Sequence, residues 1–146
     1  MELTDCIVEY RRESGDGHLF TMTPEGLPVF RVDYRELSPE GRRHWANRML
    51  NAAALCCVAT TLASDLIRRG ADVRSMTGRA ASGKEKDSVL RTRINEIEVE
   101  IEVDIGDTDQ AIMDECLEII DRDTLGMYSL REGIEVEARI NRIKRL

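Results

Sequence analysis

The sequence predicts an α+β fold, and three features carry that expectation. From Ile97 to Ile105 the chain alternates strictly: Ile97, Val99, Ile101, Val103 and Ile105 are set against Glu96, Glu98, Glu100, Glu102 and Asp104. A two-residue period belongs to a strand with one buried and one wet face. The run Asn51 to Gly70, NAAALCCVATTLASDLIRRG, is rich in alanine and leucine and carries no charge before Asp65, which is helical composition. A second helix shows in Ile112, Met113, Cys116, Leu117, Ile119 and Ile120, which recur at three- and four-residue spacing. Strands, a long helix, a hairpin, a helix and a strand, in that order, give α+β rather than an alternating parallel fold.

Taken in order, Ile7 and Val8 open an extended stretch, Ser14-Gly15-Asp16-Gly17 supplies hairpin-turn chemistry, and His18 to Thr23 returns. Pro24-Glu25-Gly26 turns the chain again before a strand from Leu27 to Tyr34. Ser38 followed by Pro39 and Glu40 marks a helix start, with Ser38 as cap and Pro39 in the first turn. The long helix ends with Arg68 and Arg69 against the C-terminal dipole, and Gly70 is suited to a left-handed cap. Between Met49 and Ala63 nearly every side is apolar or small, so this helix is expected to be enclosed by protein all round.

The stretch from Ala71 to Arg93 is expected to form a hairpin with the alternating strand, its tip at Ser82 to Asp87. Arg74, Arg79, Arg91 and Arg93 would then face the acidic ladder. Asp107, with Gln110 three residues on, reads as a capping box for the second helix. A short helical segment from Thr124 to Leu130 leads to Gly133 and a last strand, where Ile134, Val136, Ala138 and Ile140 alternate with Glu135, Glu137, Arg139 and Asn141.

The length of 146 residues fits a single domain, 1–146. A net charge of -7 disfavours nucleic acid, whose binding rests on neutralising phosphates. The acidic, alternating N-terminus lacks a signal-peptide core, and the uncharged run from Met49 to Ser64 falls short of the roughly 20 residues a bilayer span needs. A cytoplasmic protein with no membrane association is expected. Cys6, Cys56, Cys57 and Cys116 show no CxxC spacing, which fits reduced thiols. His18 and His44 stand without metal-ligand spacing, and no phosphate loop, nucleophile elbow or paired-carboxylate motif occurs. No cofactor and no metal are expected.

Cys56 and Cys57 cannot bond to each other easily: adjacent Cα atoms are about 3.8 Å apart, below the usual disulfide range, and a helix turns the two side chains roughly 100° apart. Cys57 shares a face with Leu50, Ala53, Ala54 and Thr61; Cys56 lies with Met49, Ala52, Thr60 and Ala63. Free cysteine is among the most buried residue types, so packing is the default role for these two, for Cys116 on its helical stripe and for Cys6 in a strand.

The helix from Leu50 to Gly70 resembles the central helix of the OsmC/Ohr family of osmotically inducible and organic-hydroperoxide-resistance proteins. In that family an Ala-Ala pair precedes a cysteine, Thr-Leu follows it, and a glycine ends the helix. Ala52-Ala53, Cys57, Thr61-Leu62 and Gly70 fall at the matching intervals, which puts Cys57 rather than Cys56 at the nucleophile position. The acidic hairpin, the Asp107 helix and the closing strand follow the family's order, so the likeness spans roughly residues 45 to 143. It implies antiparallel sheets wrapped around a long central helix in an intertwined homodimer. It also implies a chemistry in which a thiolate, held as such by an arginine and an acid, attacks a peroxide, and a second cysteine captures the sulfenic acid.

Two positions depart from the family pattern. Thr124 stands at the position of the second cysteine, and no cysteine follows Cys116. Asn47 stands ten residues before Cys57, where the family's acid is found. Arg31, Arg42 and Arg43 are the candidates for the activating arginine. An oxidised Cys57 would need Cys116, Cys56 or an external thiol as its resolving partner. Two functions follow: a hydroperoxide reductase that uses Cys57 without the two-cysteine cycle, or a non-enzymatic homodimer that binds a small apolar or thiol ligand at its interface.

Overall fold

The computed structural model describes residues 6–134 and 136–142. The chain divides into two compact units between Ala46 and Asn47. The first holds an antiparallel sheet of three strands, β1 (Val8–Glu13), β2 (Gly17–Met22) and β3 (Phe30–Asp33), in that spatial order. The turn at Ser14 to Gly17 forms as expected, with Gly15 at φ 75°, and the register pairs Tyr10 with Phe20 and Arg12 with His18. The third strand is shorter than the stretch from Leu27 to Tyr34. At Asp33 the chain leaves the sheet for a 3-10 turn, Tyr34–Glu36, because the Asp33 carboxylate accepts from the Arg35 backbone N–H at 2.9 Å. Ser38 caps α1 (Pro39–Arg42) by accepting from Gly41 N–H at 3.0 Å. His44, at φ 57°, breaks the chain away before the long helix.

That helix, α2 (Trp45–Arg68), ends as its sequence predicts. Gly70 takes φ 89°, its N–H donates to Ile67 C=O at 3.0 Å, and Ala71 N–H reaches back to Leu66 C=O at 2.9 Å. This paired closure satisfies carbonyls that a helix end would otherwise leave bare. The core of the second unit sits at this end of α2: Leu62, Leu66 and Cys116 are buried, with Met76, Ile101, Val103, Ile112, Met113 and Ile120 packed around them.

Elsewhere the expectation of a helix enclosed on all sides fails for the single chain. Along the whole of α2 the buried residues are Ala54, Leu62, Asp65 and Leu66, while Ala52, Ala53, Cys56 and Thr60 are exposed. One chain has too little surface of its own to cover both sides of an apolar rod. The helix is also longer than the uncharged run suggests, and by length and composition it could cross a membrane. Its packing against the hairpin and the Asp65–Arg68 ion pair at 2.6 Å are features of a core helix as well.

The hairpin joins β4 (Val73–Lys86) to β5 (Thr92–Ile105). Its tip lies later than the expected Ser82 to Asp87. Asp87 makes the turn instead, its Oδ1 accepting from Val89 N–H at 3.0 Å and Arg91 N–H at 2.9 Å. Gly83 lies inside the strand at a register shift, and a Cβ there would come within 2.7 Å of Asn95 Oδ1. The glycine marks a close cross-strand approach rather than a turn. Of the four arginines, Arg79 lies opposite Glu100 and Arg74 reaches Asp104 at 4.0 Å, so two face the ladder. Arg91 and Arg93 pair with Asp87 and Glu85 at the hairpin end.

Helix α3 (Gln110–Asp123) starts after Asp109 rather than at Asp107, and no capping box forms. The Asp109 carboxylate is committed to Asp72 N–H at 2.8 Å, and Gln110 to Asp114 at 2.9 Å. Helix α4 (Leu125–Glu132) follows and ends at Gly133, φ 81°. The expected last strand is absent among the described residues: residues 134 and 136–142 are not paired, and Ile134, Val136 and Ile140 are 57%, 85% and 95% exposed. A strand needs a neighbouring edge to bond, and among the described residues this segment is laid against none of the free edges of the two sheets. Glu135 of that alternation lies outside the described residues.

Leu66 is fully buried, so Leu66→Ala is expected to cost about 2–5 kcal/mol in urea unfolding; a loss below about 0.5 kcal/mol would contradict the core described. Asp33 gives a second expectation. Hydrogen bonds from the Arg35 side chain, then its backbone N–H, hold the Asp33 carboxyl down from 3.8 to about 2. A carboxyl depressed in the folded state stabilises fully above its unfolded pKa, and that contribution is lost as pH falls through 2. An NMR titration of the Asp33 carboxyl should centre near 2; a midpoint at 3.8 means that the turn is not formed.

Candidate functional site

Helix α2 carries Cys57 towards the start of α4. A Cβ on Gly126 would lie 3.1 Å from Cys57 Sγ and 3.5 Å from Cys57 Cβ, so the absence of a side chain at Gly126 leaves room for the sulfur. Cys57 is half-buried and Cys56 exposed, as the roughly 100° turn between successive helical residues requires. Residues that precede and follow this contact also line an open cavity of about 480 Å³: Leu50, two turns before Cys57 on its face, with Ile94, Ile97, Met127, Leu130 and Arg131. Its wall is mixed: Asn95, Glu96 and Arg131 stand among the apolar side chains.

Thr124 begins α4 two residues before Gly126 and is 1% exposed. Its hydroxyl does not cap the helix. It donates to Ile120 C=O at 2.9 Å, the same carbonyl that accepts the Thr124 backbone N–H at 3.1 Å. Thr124, which the resemblance leads one to expect at the second-cysteine position, is therefore sealed and internally satisfied, and threonine has no sulfur to offer.

Asn47 belongs to a different set of contacts. Its Oδ1 accepts from Ser82 Oγ at 3.0 Å, and Ser82 Oγ accepts from Asn51 Nδ2 at 3.1 Å. These bonds tie the first turns of α2 to β4. Ten residues of helix put Asn47 about 15 Å from Cys57 along the axis, so within one chain it touches the hairpin and not the sulfur. This amide–hydroxyl–amide link was not legible in the sequence, since it needs the hairpin register; the i, i+4 spacing of the two asparagines is its one trace.

The candidate arginines belong to the first unit. Arg31 donates to both Glu13 carboxylate oxygens at 3.2 Å, and Arg42 Nε donates to Leu37 C=O at 3.2 Å. Arg43 follows α1 as its C-terminal cap.

Cys116 is fully buried beside Leu62 and Leu66, five and nine residues beyond Cys57 on α2. Those separations amount to about 7 to 14 Å of helix axis. Burial pushes the Cys116 thiol up from its ordinary value of 9.0, with Arg69 opposing and Asp65 adding to the rise. It is a packed, neutral thiol and a poor resolving group. Cys6 is exposed and precedes β1, so neither it nor Cys56 packs inside this chain as expected. Among the described residues no group of three or more His, Cys, Asp or Glu side chains could hold a metal ion.

No protein-family profile matches the chain, and no curated protein is detectably similar to it. Solved structures do resemble it. An OsmC-like protein of unknown function from Vibrio cholerae aligns with a TM-score of 0.62 at 14% identity, over 88% of this chain and 93% of that one. A hypothetical protein from Aquifex aeolicus aligns at 0.63 and 11% identity, over 91% of this chain and 90% of that one. The fold is OsmC-like: α+β, with antiparallel sheets and a long helix.

Iodoacetamide is expected to leave Cys116 unmodified in the native protein, even at pH 8.5, and to reach it only in denaturant. Native-state labelling of Cys116 at the rate of free cysteine would contradict its burial.

Proposed function

We propose that the protein is a cytoplasmic, homodimeric thiol reductase of organic hydroperoxides in which Cys57 is the nucleophile. The observation that carries this reading is the placement of the half-buried Cys57 Sγ against Gly126, whose neighbour Met127 lines a cavity of about 480 Å³ with a mixed polar and apolar wall. A half-buried sulfur is within reach of a substrate, whereas the sealed Cys116 is not. The apolar part of that wall, Leu50, Ile94, Ile97, Met127 and Leu130, suits the organic part of a hydroperoxide better than hydrogen peroxide, which gains nothing from such a surface.

The step begins with the Cys57 thiolate attacking the outer peroxide oxygen. The O–O bond breaks, the sulfur becomes a sulfenic acid, and the departing alkoxide takes a proton and leaves as the alcohol. Thr124 cannot capture that sulfenic acid. An external thiol therefore attacks it, releasing water and forming a mixed disulfide, and a second thiol frees Cys57 by exchange.

The homodimer rests on α2. Ala52, Ala53, Cys56 and Thr60 form an exposed strip of small and apolar residues along it, and a second copy of the same helix is a fitting cover. The acidic net charge of -7 argues against nucleic acid as a partner, and no membrane partner is invoked.

A second reading has its own support. With Thr124 hydrogen-bonded to Ile120 C=O and Asn47 held by Ser82, two positions of the peroxidase set are given over to structure. The same cavity would then bind a small apolar or thiol ligand without turnover.

Stopped-flow mixing with cumene hydroperoxide separates the two. The reductase reading expects Cys57 to form sulfenic acid at least about 100-fold faster than free cysteine, with Cys57→Ser abolishing the reaction and an added dithiol restoring the reduced state. Oxidation no faster than that of free cysteine removes the enzyme reading. Ligand binding that survives Cys57→Ser then supports the second.

A further inference from the structure

The three-stranded sheet of the first unit holds a cluster of titratable side chains that has no part in the thiol chemistry. Tyr10 Oη lies 3.0 Å from His18 Nδ1, and His18 Nε2 lies 3.2 Å from Asp16 Oδ1. We propose that Tyr10, His18 and Asp16 form a second reactive centre, a phenol activated by a general base, which accepts an activated acyl group.

Asp16 decides the direction of the hydrogen bonds. A carboxylate offers acceptors alone, so the neutral imidazole must carry its proton on Nε2. Nδ1 is then a lone pair, and the Tyr10 hydroxyl donates to it. This is the arrangement of a nucleophile held by a base, with the base oriented by a third group.

Several contacts fix that geometry. Cross-strand register puts Arg12 opposite His18 and Tyr10 opposite Phe20, so Tyr10 and His18 are diagonal neighbours on one face of the β1–β2 pair. The Tyr34 ring lies 4.6 Å from the imidazole and the Phe20 ring 5.3 Å from the phenol, centroid to centroid. Asp16 is held in the turn, where its carbonyl accepts Tyr34 N–H at 3.0 Å. The His18 side chain is 19% exposed, so the base is sheltered. Tyr10 itself is 55% exposed and open to a reagent.

An acyl group suits this centre better than a phosphoryl group. The carboxylates of Asp16 and Asp33 lie near the imidazole, and the guanidinium groups of Arg12 and Arg35 are already committed to Gly15 C=O and to Asp33. Little positive charge is left to receive phosphate. In the step proposed, Tyr10 Oη attacks the carbonyl carbon of an activated acyl donor and its proton passes to His18 Nδ1. The new C–O ester bond forms, the bond to the leaving group breaks, and the imidazolium returns the proton to that group. Tyr10 is the nucleophile, His18 the base, and Asp16 a positioning residue.

Tyr128 provides an internal control, because it is also 55% exposed. The full-length protein would be treated with N-acetylimidazole and the O-acetyl content of Tyr10 and Tyr128 followed by peptide mass spectrometry. General bases contribute on the order of 10²–10⁴-fold in enzymes, and an exposed centre without further stabilisation is expected to reach about tenfold in favour of Tyr10. His18→Gln removes the base. Asp16→Asn keeps the shape, but its amide can donate to Nε2 and so move the imidazole proton onto Nδ1. Both substitutions should bring the ratio of rates close to one while Tyr128, in the second unit, reacts at its wild-type rate as the reagent control and the Asp33 carboxyl still titrates near 2, which reports an intact first unit. If His18→Gln disturbs the Asp33 titration, the isosteric Asp16→Asn decides. Equal rates in the wild-type protein, or a preference for Tyr10 that survives Asp16→Asn, overturns the proposal.

Discussion

The structure depends on one constraint: α2 has no polar side. A helix with a wet face can lie on a sheet and be finished. This one carries alanine, leucine, valine, cysteine and threonine around most of its circumference from Met49 to Ala63, yet its own chain buries four of its residues. Covering Leu62 and Leu66 with the β4–β5 hairpin and α3 satisfies one end. The strip through Ala52, Ala53, Cys56 and Thr60 remains in water, and apolar surface left in water costs about 25 cal/mol per Å². Small residues on that strip allow another backbone to come close, which is what a helix-to-helix contact between two copies would use.

The same constraint sets the proposed chemistry. In the proposed reading, a long apolar rod carries Cys57, and exclusion of water there favours an organic substrate. Thr124, the residue expected at the second-cysteine position, has its hydroxyl turned back on Ile120, and the thiol of the second unit's core, Cys116, is held neutral by burial. In the proposed cycle an oxidised Cys57 is returned by a thiol from outside. Asn47, bound to Ser82, strengthens the joint between α2 and β4.

Most of the fold was legible because its signals are local. The turn from Ser14 to Gly17, the Ser38 cap, the Gly70 closure and the alternation of β5 all follow from nearest-neighbour chemistry. The misreadings share a different cause. Gly83 signals either a turn or a close approach, and Asn95 across the strand decides which. Asp109 rather than Asp107 precedes α3, since Asp72 claims its carboxylate. The alternation after Gly133 needs an edge to pair with, and its described residues are paired with none. Cys57 could be singled out by its likeness to a known helix, but its contact with Gly126 could not. Tyr10, His18 and Asp16 were invisible as a group, because strand register and a turn bring them together.

Sedimentation equilibrium in dilute buffer, across a hundredfold range of concentration, tests the constraint on α2 most directly. With a chain mass of 16.6 kDa, two copies burying their long helices should sediment as one species of twice that mass throughout. A compact particle of the single-chain mass, stable to heat at micromolar concentration, would contradict the account.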